Sequence, residues 1–220
     1  MRKTIRFIQI VIIITVFDSC QERMSDSDRN AGQQGVRSQE IKRISEAEIM
    51  TVGLKRGKVI ADAAQSMLGN LLHNTIESDG TIAALSYCNV KAYPLVDSLS
   101  LAYSADIRRV SLFPRNPADA PDSIERELLE SYLYSIEQGS AVVENIQDIG
   151  KKYLLYTRPI RIDKEMCLQC HGDIGKNISL DTNEAIQALY PSDMATGHQM
   201  TDLRGMWSIR LLKKDIVNSL

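Results

Sequence analysis

Residues 167–171 read Cys-Leu-Gln-Cys-His, and this pentapeptide narrows what the chain can fold into more than anything else in it. C-x-x-C-H is the attachment pattern of c-type haem. Two thiols one turn apart add to the two vinyl groups of a single porphyrin, and the adjacent imidazole then lies against the iron as proximal ligand. With 4 cysteines and 3 histidines among 220 residues, the pattern arises by chance in only about one in a thousand such chains. A thioredoxin-like redox pair would need a strand before it and a helix after it in a βαβ setting, which the flanking sequence lacks. A zinc site would need a second pair of ligands at short spacing, and the other cysteines, Cys20 and Cys88, stand alone. The chain therefore predicts one covalent haem c, held through Cys167 and Cys170, with His171 on the iron.

Covalent haem attachment in bacteria takes place outside the cytoplasmic membrane, and the N-terminus agrees with export. Arg2, Lys3 and Arg6 precede an apolar run from Phe7 to Phe17, broken only by Gln9, which is the charged n-region and short h-region of a secretory signal. A membrane span needs about 20 apolar residues, more than this run supplies. It stops at Phe17-Asp18-Ser19-Cys20, which resembles a bacterial lipoprotein cleavage site. Residues 1–19 then form a signal peptide and Cys20 carries the lipid anchor. Residues 20–39, polar and containing Gly and Ser, form a flexible tether. An uncleaved short anchor is the alternative. Residues 40–220 make up the haem domain. A hydrophobic content of 44% with 25% charged residues excludes global disorder and collagen-like or coiled-coil arrays. The net charge of −2 becomes more negative once Arg2, Lys3 and Arg6 leave with the signal, so no nucleic-acid partner is expected.

Ile41, Ile44, Ala47, Met50, Leu54, Ala61, Ala64, Leu68 and Leu71 recur at helical spacing, so residues 40–76 read as a long amphipathic helix, weakened by Gly53, Gly57 and Gly69. A polar break at Glu77-Ser78-Asp79-Gly80 precedes a second helix over 81–93, with Cys88 on it and Pro94 close to its end. Residues 107–113 alternate like a strand, and Pro114 to Asp122 is a loop dense in turn formers. Asp122 and Glu125 make a capping box for a helix carrying Ile124, Leu128, Tyr132, Leu133 and Ile136, stopped by Gly139. Residues 142–149 and 153–162 alternate with period 2 and pair through Gly150-Lys151, with Leu154, Tyr156, Ile160 and Ile162 to one side. The last strand runs from Met206 to Leu212, with Trp207, Ile209 and Leu211 on one face. Helices first, then a helix and several strands without βαβ alternation, give an α+β domain with an antiparallel sheet.

Once Cys20 is assigned to lipid and Cys167 and Cys170 to haem, Cys88 is left alone in an oxidising compartment, where an unpaired thiol is a liability. It is either a distal iron ligand, as a thiolate opposite His171, or a small buried hydrophobe. His73, His198, Met194, Met200 and Met206 offer other distal donors. His198 and Met200 lie downstream of the motif, as the distal ligand does in small electron-carrier cytochromes.

Several segments occur in a familiar order: Cys88-Asn89-Val90-Lys91-Ala92, the run from Arg109 to Asp122, Pro159-Ile160, Cys167 to Gly172, Tyr190-Pro191-Ser192-Asp193, Ala195-Thr196-Gly197 and Asp202-Leu203-Arg204-Gly205. Over about residues 75–215 the set resembles a bacterial family of single-haem c-type, PAS-like domains found alone or at the front of sensor proteins. The resemblance implies a PAS-like antiparallel sheet flanked by helices, with a long N-terminal helix and the haem between it and the sheet. It also implies His/Cys axial ligation, the cysteine falling in the segment that matches Ser86-Tyr87-Cys88-Asn89. Arg115 and Asn116 are either turn formers or partners of the haem propionates, for which Arg suits bidentate binding.

The expected function is that of an exported, membrane-tethered, monohaem cytochrome-like protein on the periplasmic side. It transfers electrons to or from a separate redox or signalling protein, or reports redox state to it. The alternative is a haem-based redox or gas sensor for NO or CO, in which the ligand displaces Cys88 and, with no output module after Leu220, the signal passes to a separate chain. A peroxidase-like enzyme needs an open distal site with paired His and Arg, which the sequence does not nominate, so no catalytic residue is assigned and no enzyme is expected. A haem-free PAS-like binding module is the residual reading.

Overall fold

The computed structural model describes residues 44–220. The expected signal peptide, Cys20 and the tether at 20–39 lie outside the described residues, as do residues 40–43 of the expected domain. Helix α1 (Glu46–Tyr103) starts at a capping box. Ser45 Oγ accepts from the Glu48 N–H at 3.2 Å and the Glu48 carboxylate accepts from the Ser45 N–H at 2.8 Å, satisfying donors that a helix start leaves open. The helix therefore begins at Glu46 and not at residue 40. It bends at Gly80, whose φ of 84° and ψ of 174° are non-helical and open to a residue without Cβ. This is the break expected at residues 77–80. The second arm then runs through Pro94 to Tyr103, past the expected end. Pro94 forfeits one helical hydrogen bond, but Val96 packs on the core and Leu99 is buried in it, and that apolar burial holds the final turns in place.

Four antiparallel strands follow: β1 (Ala105–Val110), β2 (Asn145–Asp148), β3 (Tyr153–Arg161) and β4 (Leu203–Leu212), in the order β1-β4-β3-β2. Ile107 pairs with Ile209, and Ile209 with Tyr156. Helix α2 (Ser123–Glu137) follows β1 and carries the expected Asp122–Glu125 capping box. Helix α3 (Glu165–His171) holds the cysteine motif, α4 (Leu180–Leu189) comes next, and α5 (Lys213–Val217) closes the chain. The fold is α+β, a four-stranded antiparallel sheet flanked by helices with a long N-terminal one. No helix among the described residues is long and apolar enough to cross a membrane.

Each face of the sheet has its own core. Ile60, Ala61 and Ala64 of α1 pack with Trp207, Ile209, Leu211, Leu154 and Tyr156 on one side. Leu129 and Tyr132 of α2 pack with Val110, Leu203 and Met206 on the other. Helix α1 approaches closely because Gly53 and Gly57 face the sheet: a Cβ at Gly53 would lie 2.6 Å from Leu154 Cδ1, and one at Gly57 would enter the Tyr156 ring. Two of the three glycines that weaken the helix locally, Gly53 and Gly57, are the ones that let it dock.

Three strands also depart from their expected bounds. β1 ends at Val110 rather than Phe113 because the Ser111 N–H turns to the Asp119 carbonyl at 3.0 Å. β2 pairs only over 145–148 instead of 142–149. β4 starts three residues early, at Leu203, and contains a bulge: Ile160 opposes Gly205 while Arg161 opposes Leu203, so Arg204 is the extra residue. Helix α4, started by Ser179 accepting from the Thr182 N–H, was not expected.

Candidate functional site

Helix α3 is seven residues long, with Cys167 and Cys170 three positions apart and therefore on one face. Its end is held by the segment between α4 and β4. Gly197 N–H donates to Gly172 O at 2.9 Å, and His198 N–H to His171 O at 2.8 Å. His171 Nδ1 lies 2.8 Å from Ala195 O. A carbonyl can only accept, so Nδ1 carries the proton and Nε2 the lone pair. Burial holds His171 well below the usual imidazole range, and the Arg204 and Arg115 guanidinium groups push the same way. The ring is thus a neutral donor with Nε2 as its basic nitrogen.

Arg204 Nε is 3.4 Å from that Nε2 and 3.2 Å from Nδ1, and Arg204 Nη1 donates to Ser111 Oγ at 2.9 Å and to Phe113 O at 3.2 Å. Burial, then Arg109 and Arg115, push its guanidinium down to about 9. The bulge explains its position. Regular alternation from Trp207 would point Arg204 with Met206 toward α2, and the extra residue re-aims it.

Cys167, Cys170 and His171 open into a cavity of about 200 Å³ that is partly open to solvent. Helix α1 forms the opposing wall from both of its arms, with Leu72 and Ile76 before the Gly80 bend and Ala84, Leu85 and Cys88 after it. Thr81 Oγ1 meets Gln169 Oε1 at 3.0 Å, and Leu85 packs with Ile178 and Ile186 against Cys170, so the second arm is fixed to the motif helix. All three described cysteines are free thiols. Burial raises Cys88, against the pull of Arg109 and Arg115, and raises Cys170 to about 11, with Arg115 opposing and the Cys88 charge adding to the rise.

A family model described as Tll0287-like, Tll0287, matches residues 9–211. The chain belongs to the Tll0287-like family. Among solved structures it is similar to the crystal structure of the cyanobacterial heme-protein Tll0287, with 23% sequence identity and a TM-score of 0.56 over 73% of this chain and 94% of that one. That likeness is one of fold. No curated protein matches the chain.

Cys88 therefore joins the three motif residues in one cavity of this Tll0287-like domain, although 79 positions separate it from Cys167 in the sequence. The other donors considered from the sequence do not line that cavity. His73 is exposed and 3.4 Å from Glu77. Met194 and Met200 are exposed, and Met206 lies in the core under α2. His198 is buried with its ring edge-on to His171 at 6.2 Å, and its Nε2 has no partner among the described residues. Met166, which the sequence reading passed over, does line the cavity.

Arg115 and Asn116 also line it, and both are engaged elsewhere. Arg115 Nε donates to Asp193 Oδ1 at 3.0 Å and its Nη2 to the Cys170 carbonyl, tying the motif helix to the segment after α4. Asn116 Oδ1 accepts from the Ala118 N–H at 3.0 Å, capping a short 3₁₀ turn. Arg109, Tyr93, Asp119 and Arg204 complete the polar wall, Tyr93 OH donating to Asp119 Oδ1 at 2.8 Å. Sequence reasoning gave them no role. Arg109, Asp119 and Arg204 sit within the segments that carry the family resemblance, which was the one available signal.

Proposed function

We propose that the chain is an exported, membrane-tethered, single-haem c-type protein that exchanges electrons with a separate periplasmic partner. The observation that carries the reading is the convergence of Cys88, Cys167, Cys170 and His171 on one cavity walled by apolar residues of α1. These residues fit the group. Cys167 and Cys170 would hold it by thioethers, His171 Nε2 would ligate the iron from the motif side, and Cys88 would ligate it from α1. The relative whose title calls it a heme-protein supports the same cofactor. Haem, when bound, supplies a one-electron couple. The chain's own part is to keep Nδ1 protonated on Ala195 O, to exclude water with Leu72, Ile76 and Leu85, and to place cationic side chains about the cavity.

A sensor reading has one observation in its favour. Burial holds the Cys88 thiol above its ordinary range, so a Cys88 thiolate released by NO or CO would take up a proton from solvent and rest as the neutral thiol.

One set of measurements tests both. Acid-acetone extraction followed by haem staining of a denaturing gel should leave colour on the wild-type protein and none on a Cys167→Ala/Cys170→Ala variant; colour that leaves with the solvent sinks the covalent haem. Spectra of the reduced protein with and without CO then separate the roles, because an electron carrier with both axial positions filled stays unchanged while a sensor shifts. For the tether, Cys20→Ala should move the protein from the membrane to the soluble fraction, since acyl chains contribute about 0.8 kcal/mol per buried methylene. Identical fractionation of the two would refute it.

A further inference from the structure

The charges around the cavity do not balance. Four guanidinium groups line it, from Arg109, Arg115, Arg161 and Arg204, against two carboxylates, Asp119 and Asp163. Arg115 is occupied by Asp193, itself buried, and by the Cys170 carbonyl. Arg161 Nε is given to Thr201 O at 2.8 Å. Arg109 has only a loose pair with Asp119 at 3.9 Å, and Asp119 already accepts from Tyr93. Arg204 has no carboxylate at all: its acceptors are a hydroxyl, a carbonyl and the His171 ring.

One of those acceptors is temporary under the haem reading. Nδ1 keeps its proton for Ala195 O, so the ring can receive Arg204 Nε–H only at Nε2. A metal ligated by Nε2 uses the same lone pair. Arg204 must then release the ring and turn its donor to another acceptor, in a part of the cavity it shares with Arg109, close enough for the two cations to disfavour each other. Uncompensated charge in such a site is costly until an anion enters.

We propose that Arg109 and Arg204, projecting from the adjacent strands β1 and β4, bind the two carboxylates of the porphyrin. Arg115 and Asn116 hold the protein frame around it. The proposal rests on the haem reading and assigns the polar end of that cofactor. Charge-assisted hydrogen bonds from Arg to carboxylate are the strong class, and Arg109 and Arg204 together supply one guanidinium for each propionate.

The test measures binding of zinc protoporphyrin IX and of its dimethyl ester, which lacks both charges, to the full chain produced without haem attachment. Wild type should prefer the diacid by a factor of about 100, tenfold for each carboxylate. Arg109→Gln, a change at a half-exposed side chain, should weaken diacid binding about tenfold and leave the ester unchanged, and Arg204→Gln should do the same. Arg161→Gln should change neither. Equal affinity of wild type for diacid and ester overturns the proposal without needing any variant. So does a loss that is the same for both porphyrins in the Arg109 variant, or a charge-specific loss in Arg161→Gln alone. If wild type binds neither porphyrin and carries no haem when exported, the haem reading fails first and this proposal with it.

Discussion

Elimination left Cys88 as either a distal ligand or a small buried hydrophobe, the family resemblance favoured the ligand, and the fold brings the residue into the cavity with the motif. As a ligand of the proposed haem, its effect would be electrostatic. A thiolate on iron stabilises Fe(III) over Fe(II) by its negative charge, so Cys88→Met, which keeps a sulfur and removes the charge, should raise the reduction potential by on the order of 100 mV or more. Redox titration followed in the visible spectrum checks this, with Met200→Ala as control, since Met200 is exposed and outside the cavity wall. A potential unchanged in Cys88→Met would remove the thiolate from the iron. Arg204 illustrates the opposite case. Strand periodicity from Trp207, Ile209 and Leu211 points it away from the site, and only the bulge opposite Ile160 and Arg161 reverses that. A one-residue register shift leaves no trace in an alternating pattern until it is seen in the paired strand.

Among the elements, local propensity and tertiary packing disagree at α1, and packing prevails. Glycine costs a helix interior about 1 kcal/mol relative to alanine, so Gly53, Gly57 and Gly69 look alike in sequence. In the fold they separate. Gly57 faces the buried Tyr156 ring, whereas a Cβ at Gly69 would meet nothing within 4 Å. Gly69→Ala should therefore stabilise the domain by about 0.5–1 kcal/mol. Gly57→Ala should destabilise it by about 1–2 kcal/mol net, overpacking of about 1–3 kcal/mol exceeding the gain in propensity. Thermal unfolding of the two variants checks the pair, and shifts of the same sign would mean that the helix does not rest on the sheet as described. The same reasoning explains the other differences. The end of α1 beyond Pro94 was hidden because burial of Leu99 is a property of the assembled core. Helix α4 was hidden because it is only ten residues long and buries little beyond Thr182 and Ile186. The Asp122–Glu125 capping box and the period-2 alternation of the strands, in contrast, are local physics and can be read from sequence.

For the molecule as a whole, the organisation that the sequence did carry was the order of elements and the late position of the motif; the enclosure of charge between them was not accessible, and it sets the response to pH. His171 and His198 are packed edge to face, with ring centroids 6.2 Å apart. Burial is the largest influence on both and lowers both below 6.5. Around His198, Arg204 and Arg115 push further down while Asp202, 3.8 Å away, and Asp193 pull up. In the unfolded chain these imidazoles take up protons near pH 6.5, whereas in the fold they resist until lower pH. The unfolded state then binds more protons as pH falls, so the stability contribution is fully present above about pH 6.5 and is lost below it. Each histidine contributes a slope of at most about 1.4 kcal/mol per pH unit. A metal on His171 Nε2 requires the neutral ring too, so loading the site does not reverse the sign. The melting temperature should therefore fall between pH 7.5 and pH 5.5 by several degrees, at about 2–4 °C per kcal/mol for a domain of this size. His198→Phe, which keeps an aromatic edge between Phe113 and His171 and also removes the unpartnered Nε2, should flatten that dependence without abolishing it. If the variant and the wild type lose the same number of degrees over this interval, His198 is not one of the groups that the fold holds neutral.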